Sequence, residues 1–243
     1  MSGENIGKAI NDQEVEIQEY YLRGILNGGK EPLVISQAAL ELAIRAHGDT
    51  RRDDGSLYIS HPIGMACLAI GLGIRDDKLI ATLLLHDVCE DCGIPVQSVS
   101  EDSDVRQAVR LMTIKPGIYD SVKADTKRRY FESLLESCEA LIGKAFDRVF
   151  NLESGIEVFD RARSLKNWRE TYHLLLPITK IAKRNWPEWS DTLHVLRCML
   201  KTNLNYMKAL HKFTDEEMFS EYGTMEFEKK PVKPANGILE NNK

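Results

Sequence analysis

Apolar residues recur every three to four positions through most of the 243 residues, and no stretch alternates at every second position as a half-buried strand would. That single pattern restricts the chain to an all-α architecture. "EVEIQEYYLRGILNGG" reads as an amphipathic helix stopped by Gly28 and Gly29, and "ISQAALELAIRAHG" as a second helix capped near Ser36. "RRDDGSLYISHP" is a polar loop turning at Asp54-Gly55, and Pro62 suits the first turn of the next helix, where its missing N–H costs nothing. The following helix is predicted to run unbroken from Asp76-Asp77 to Gly93, with more helices after it. No repeat or internal linker divides these segments. A single helical domain over residues 11–215 is expected, preceded by a flexible 1–10 and followed by a disordered, Pro/Asn/Lys-rich 216–243.

The rest of the composition matters for what it excludes. A net charge of −5 gives no general attraction to nucleic acid or to an anionic membrane, and neither partner is expected. The polar start "MSGENIGKAINDQEVE" is no secretory signal, and "MACLAIGLGI" and "LIATLLL" are too short to span a bilayer. Five cysteines, an odd count without a framework spacing, point to a reducing cytoplasm. Nothing in the sequence sets an oligomeric state.

One segment changes character halfway. In "LIATLLLHDVCEDCG" the first half is apolar on every face, which predicts full burial; the second half then carries His86, Asp87, Glu90 and Asp91. A carboxylate withdrawn from water without a partner costs several kcal/mol, and acids in the last turn of a helix oppose its dipole. A divalent cation held by His86 and Asp87 offsets both costs; a solvated helix end is the plain alternative. Cys89 and Cys92 fall on or beside the apolar stripe, no second Cys-x-x-Cys completes a structural zinc site, and packing is the role expected of both.

Two ligands are too few. "YISHP" offers His61 at a helix entrance, where helix capping is the other explanation. "GKAFDRVFN" offers Asp147 between Ala145, Phe146 and Val149, where a surface pair with Lys144 or Arg148 is the other. Two histidines and two aspartates make a mixed N/O set suited to Mn²⁺, Fe²⁺, Zn²⁺ or Mg²⁺.

These segments, in this order, resemble the HD-domain superfamily of metal-dependent phosphohydrolases. More narrowly they resemble the hydrolase domain of the RelA/SpoT family, which removes the 3′-pyrophosphate of guanosine alarmones. "AIRAHGDTRRDDGSLYISHP" follows that family's A-H-x-G-Q-x-R-K-S-G-E-P-Y-I-x-H-P; "LLLHDVCEDCG" follows L-L-H-D-V-V-E-D-T; "KAFDRVFNL" follows K-L-A-D-R-L-H-N-M; and "WRETYHLLLPITKIA" is similar to a later R-E-T segment. The similarity covers about residues 37 to 183. It implies an HD-type helical bundle and one divalent cation, with manganese first among the ions. It implies His61, His86, Asp87 and Asp147 as ligands, Glu90 and Asp91 as the carboxylates that handle the attacking water, Arg52 against the base, and Asn151 near the ribose. The substrate it implies is ppGpp or pppGpp, cleaved to GDP or GTP and pyrophosphate. With no synthetase module after it, the chain is expected to be a stand-alone hydrolase.

The chain departs from the pattern at Asp53, where the family has lysine, and at Tyr172, which stands three positions before the family's aromatic. Asp53 keeps a second substrate class open: an adenosine alarmone, a nucleoside monophosphate or the 2′-phosphate of NADPH. A catalytically silent nucleotide sensor is a third reading. Tyr172 is expected in the core or against a base. Of the basic residues near the motifs, Arg51, Arg52, Lys123, Lys127, Arg128 and Arg129, only Arg52 lies in a matched motif; solvated charge is expected of most others.

Overall fold

The computed structural model of the chain describes residues 3–114, 124–156, 158–220 and 222. Twelve α-helices follow one another in it: α1 Gly3–Asn27, α2 Val34–His47, α3 Ser60–Gly71, α4 Asp77–Leu85, α5 Val88–Asp91, α6 Ser103–Met112, α7 Ala124–Ser133, α8 Cys138–Gly155, α9 Arg161–Glu170, α10 Leu176–Asn185, α11 Ser190–His211 and α12 Asp215–Phe219. Among the described residues there is no strand; one isolated bridge, Arg51 to Leu57, closes the base of the loop between α2 and α3.

The organising element is α4. Every residue from Leu79 to Leu85 is fully buried, as an apolar circumference requires. Leu79 and Leu83 enter a core shared with α8, α10 and α11, while Ile80, Leu84 and Leu85 enter a second core shared with α1, α2 and α3. At about 2 kcal/mol for each leucine removed from water, this one helix ties the two cores together. Gly64 sets the approach of α3 to α8, since a Cβ there would lie 2.9 Å from the Phe150 ring.

Three expectations change. Ser36 is no cap: it lies inside α2, whose first turn is capped instead by the Asp77 carboxylate of α4, accepting from Ile35 N at 2.9 Å and Ser36 N at 2.7 Å. The boundaries also move, for α1 begins at Gly3, within the segment expected to be flexible. At the other end α12 passes residue 215, opened by a Thr214–Glu217 capping box and anchored by buried Met218 and Tyr222. The rest of the expected disordered tail lies outside the described residues. Finally, the helix predicted to reach Gly93 unbroken is interrupted at His86-Asp87 and resumes as the short α5.

Candidate functional site

That interruption builds the site. In a continuous helix His86 and Asp87 would diverge by about 100°. Asp87 instead takes φ −103° and ψ −7°, the sparsely populated bridge region, and its carboxylate comes to 2.8 Å from His86 Nε2. The first turn of α3 supplies His61, and the middle of α8 supplies Asp147. His61 Nε2 lies 3.3 Å and His86 Nε2 3.7 Å from Asp147 Oδ1. One donor atom from each of the four residues falls within 4.8 Å of the others. Segments 86 residues apart in sequence thus meet at one point, and His61 is not spent on helix capping.

Electrostatically the cluster draws positive charge. Burial pushes the His86 imidazole down, but Asp87 and Asp147 beside it hold it up to about 10. Burial raises the carboxyl of Asp87, yet His86 brings it down to about 2. For Asp147, Lys144, His61 and His86 together overcome burial and hold it well below the usual range. The His86 ring is oriented by Nδ1, which donates to Leu83 O at 2.9 Å. Its Nε2 is buried and, despite the 2.8 Å approach to Asp87, has no hydrogen bond of acceptable angle. A buried ring nitrogen fixed from behind and unsatisfied in front is what a metal-binding histidine presents. The donor set of two imidazoles and two carboxylates fits a divalent cation.

Around the cluster lies a cavity of about 400 Å³. Glu90 and Asp91, on α5, open into it. Desolvation at the wall raises both carboxyls, and the charge of Asp87 adds to the effect. Glu90 also accepts from Ile114 N at 3.0 Å. Arg52 and Asn151 line the same cavity: Arg52 donates to Asn151 Oδ1 and Ser154 Oγ, each at 3.1 Å, and Asn151 donates to Asp147 Oδ1. Six of the eight candidate residues named from the sequence line this cavity, and the other two, His61 and His86, reach it through their contacts with Asp147 and Asp87.

Several residues behave otherwise than expected. Asp147 does pair with Lys144, at 2.7 Å, but both are buried, so the pair is part of the site and not of the surface. Tyr172 is 41% exposed and stacks on Trp168 at 4.8 Å, outside the cavity; it is neither core nor base contact. Cys92 leaves the apolar stripe to approach His47 Nδ1 at 3.4 Å, while Cys89 packs on the second core as expected. Arg128 and Arg129 pair with Asp125 on the surface, Lys127 is buried on the cavity wall, and Lys123 lies outside the described residues. Sequence reasoning missed Tyr58, which donates to Asp87 Oδ2 at 2.8 Å and is itself stacked on His47 at 4.5 Å. It stands three positions before His61 and falls on the tyrosine of the matched Y-I-x-H-P pattern, which was the signal available.

Residues 39–112 match the HD-domain family model, a stretch from α2 to α6 that carries His61, His86 and Asp87. The chain is 28% identical over 153 residues to a probable GTP pyrophosphokinase of Mycobacterium leprae, covering 61% of this chain and 19% of that one. It is 28% identical over 149 residues to a guanosine-3′,5′-bis(diphosphate) 3′-pyrophosphohydrolase of Aquifex aeolicus, covering 58% and 20%. The chain thus spans about a fifth of the length of these curated relatives. A solved structure described as a metazoan orthologue of SpoT that hydrolyses ppGpp superposes with a TM-score of 0.47 at 22% identity, over 81% of this chain and 100% of that one, a likeness too distant to argue from. In its HD-domain match over residues 39–112, its three spaced motifs and its curated relatives, the chain is similar to HD-domain proteins of the RelA/SpoT type.

Proposed function

We propose that the chain is a metal-dependent hydrolase that removes the 3′-pyrophosphate of guanosine alarmones, releasing GDP or GTP and pyrophosphate. The observation that carries the reading is the convergence of His61, His86, Asp87 and Asp147 within 4.8 Å, beside Glu90 and Asp91, in a cavity of about 400 Å³. That volume suits a nucleotide-sized ligand. The names of the curated relatives, which include a 3′-pyrophosphohydrolase, support the same substrate.

In this reading the four donors hold one divalent ion, manganese by preference. Such an ion supplies Lewis acidity, making a water nucleophilic near neutral pH and offsetting charge at the attacked phosphorus. The chain does the rest. Glu90, its carboxyl raised by partial desolvation, accepts the proton of the attacking water, and Asp91 orients that water. Tyr58 holds the Asp87 carboxylate in place. Arg52 packs against the base, and Asn151 holds the ribose. Water oxygen bonds to the phosphorus on the 3′-oxygen, the bond from that phosphorus to the 3′-oxygen breaks, and a proton ends on the released hydroxyl.

A second reading rests on Asp53. It lines the cavity and pairs with Arg163 at 2.8 Å, which withdraws one cation from the wall and favours a nucleotide with fewer phosphates. The test is product analysis on ppGpp, pppGpp, an adenosine alarmone and NADPH, with Mn²⁺ and with chelator. Pyrophosphate from the guanosine substrates, lost on chelation, is the expected result. Orthophosphate from NADPH alone would replace the first reading with the second, and no metal-dependent product from any of them would remove both.

A further inference from the structure

The cavity has a second concentration of buried charge, on the wall built by α7, α8 and α9. Lys127 is 7% exposed, Lys144 8% and Arg148 8%, yet all three line the cavity. Their acceptors among the described residues are few. Glu170 takes Lys127 Nζ at 2.7 Å and Arg148 Nη2 at 3.4 Å, a long contact. Arg148 Nη1 reaches the neutral Asn167 side chain, and Arg148 Nε is buried with no partner. Lys144 holds Asp147 Oδ2, but the other oxygen of that carboxylate faces His61 and His86. Among the described residues, three buried cations therefore share one whole carboxylate and half of another. Buried cations short of acceptors are costly, and an anion entering the cavity would supply what they lack.

The wall also has the right chemistry for one class of anion. A lysine offers three donors and an arginine a planar fork, the pair of groups that serves multidentate phosphate oxygens. Lys144 stands on the far side of the Asp147 carboxylate from the two histidines, and its charge is felt at Glu90, so the row begins beside the metal donor set. It continues away from that set through Arg148 to Lys127, linked by Glu170.

We infer that Lys144, Arg148 and Lys127 form a subsite for a diphosphate group, with Lys144 at the phosphorus nearest the metal donors and Arg148 and Lys127 at the terminal phosphate. That the diphosphate is the group being released rests on the function proposed above; that the wall binds a diphosphate does not. Glu170 then acts as a placeholder, holding two of the cations together until the phosphate oxygens arrive.

The probe is inorganic pyrophosphate, titrated calorimetrically into the full chain at low salt, with orthophosphate as control. Pyrophosphate is expected to bind the chelated wild type, since the cations belong to the chain itself, and more tightly than orthophosphate. Binding that vanishes entirely with the metal would place the anion on the ion alone and overturn the subsite. Lys127→Met should weaken pyrophosphate by about tenfold or more, the worth of a charge-assisted hydrogen bond. Glu170→Gln should do the opposite: tighter pyrophosphate binding, and a larger rise of Tm on adding pyrophosphate than in the wild type. A purely structural brace predicts unchanged affinity in both variants, or loss in both, and either result would refute the inference. The wild-type titration decides the matter even if a variant fails to fold. Pyrophosphate binding without alarmone hydrolysis would leave the subsite standing and remove the proposed substrate; hydrolysis with an indifferent wall would do the reverse.

Discussion

Charge is buried in two places along this cavity, and the two are opposites. Around His86, two carboxylates and two imidazoles gather with Lys144 as the single permanent cation in contact among the described residues, and the cluster pulls His86 up to about 10. Around Glu170, one carboxylate serves two cations, and Arg148 Nε goes unsatisfied. The first place is short of positive charge and the second of negative. Since buried charge is tolerated only when compensated, each place states the sign of its missing partner. A metal at one end and an anion at the other would complete both, which is the demand a phosphohydrolase makes of its site.

The largest effect that tests this contrast is on the metal side. Asp87→Ala should abolish the rise in Tm that Mn²⁺ gives the wild type and lower turnover by more than about a hundredfold, while the protein stays folded. Full retention of metal-dependent activity would break the contrast. Tyr58→Phe removes one hydrogen bond to Asp87 without touching the donors and should weaken Mn²⁺ by about tenfold in a calorimetric titration. An unchanged affinity would leave Tyr58 with packing alone.

On the cation side the expected effect is smaller and depends on pH. Burial raises the Glu170 carboxyl, but Arg148 and Lys127 outweigh it, so its folded value lies below the ordinary 4.5. Such a group stabilises the fold above its unfolded value and loses that contribution as pH falls through the folded one. Acid melting should therefore be shallower in Glu170→Gln than in the wild type, and parallel curves would argue that the pair contributes nothing. Smallest of all, Cys89→Ser should cost about 1 kcal/mol or less in denaturant unfolding and leave the rate alone. A fall in rate at unchanged stability would bring the thiol into the chemistry.

The His/Asp cluster could be picked out in the sequence because its acids break a rule there. Asp87 and Asp147 stand in segments otherwise written in Leu, Val and Phe, and an acid in such a setting needs a reason. Arg52 and Asn151 were legible only through their matched motifs. Other features were hidden for physical reasons. The break at Asp87 leaves no compositional trace, because no Gly or Pro makes it. The cap on α2 comes from a carboxylate 41 residues away, beyond any local pattern. Tyr172 was misplaced because Thr171–Leu175 is a turn of π-helix, whose extra residue rotates the following positions off the 3.6-residue register. Glu170 stood in a matched segment, but nothing local showed that it would face two cations from α7 and α8.

The Asp77 carboxylate, which seats the first turn of α2 from the start of α4, has a consequence for dynamics. The Ile35 and Ser36 amides cannot open by local fraying, as helix-end amides usually do, without detaching one helix from the other. They should therefore exchange with solvent deuterium at the slow rate of the α4 interior. The loop after α2, which brings Arg52 and Tyr58 to the cavity, thereby hangs from the same cooperative unit as His86, so the Arg52 end and the His86 end of the cavity should open together or not at all.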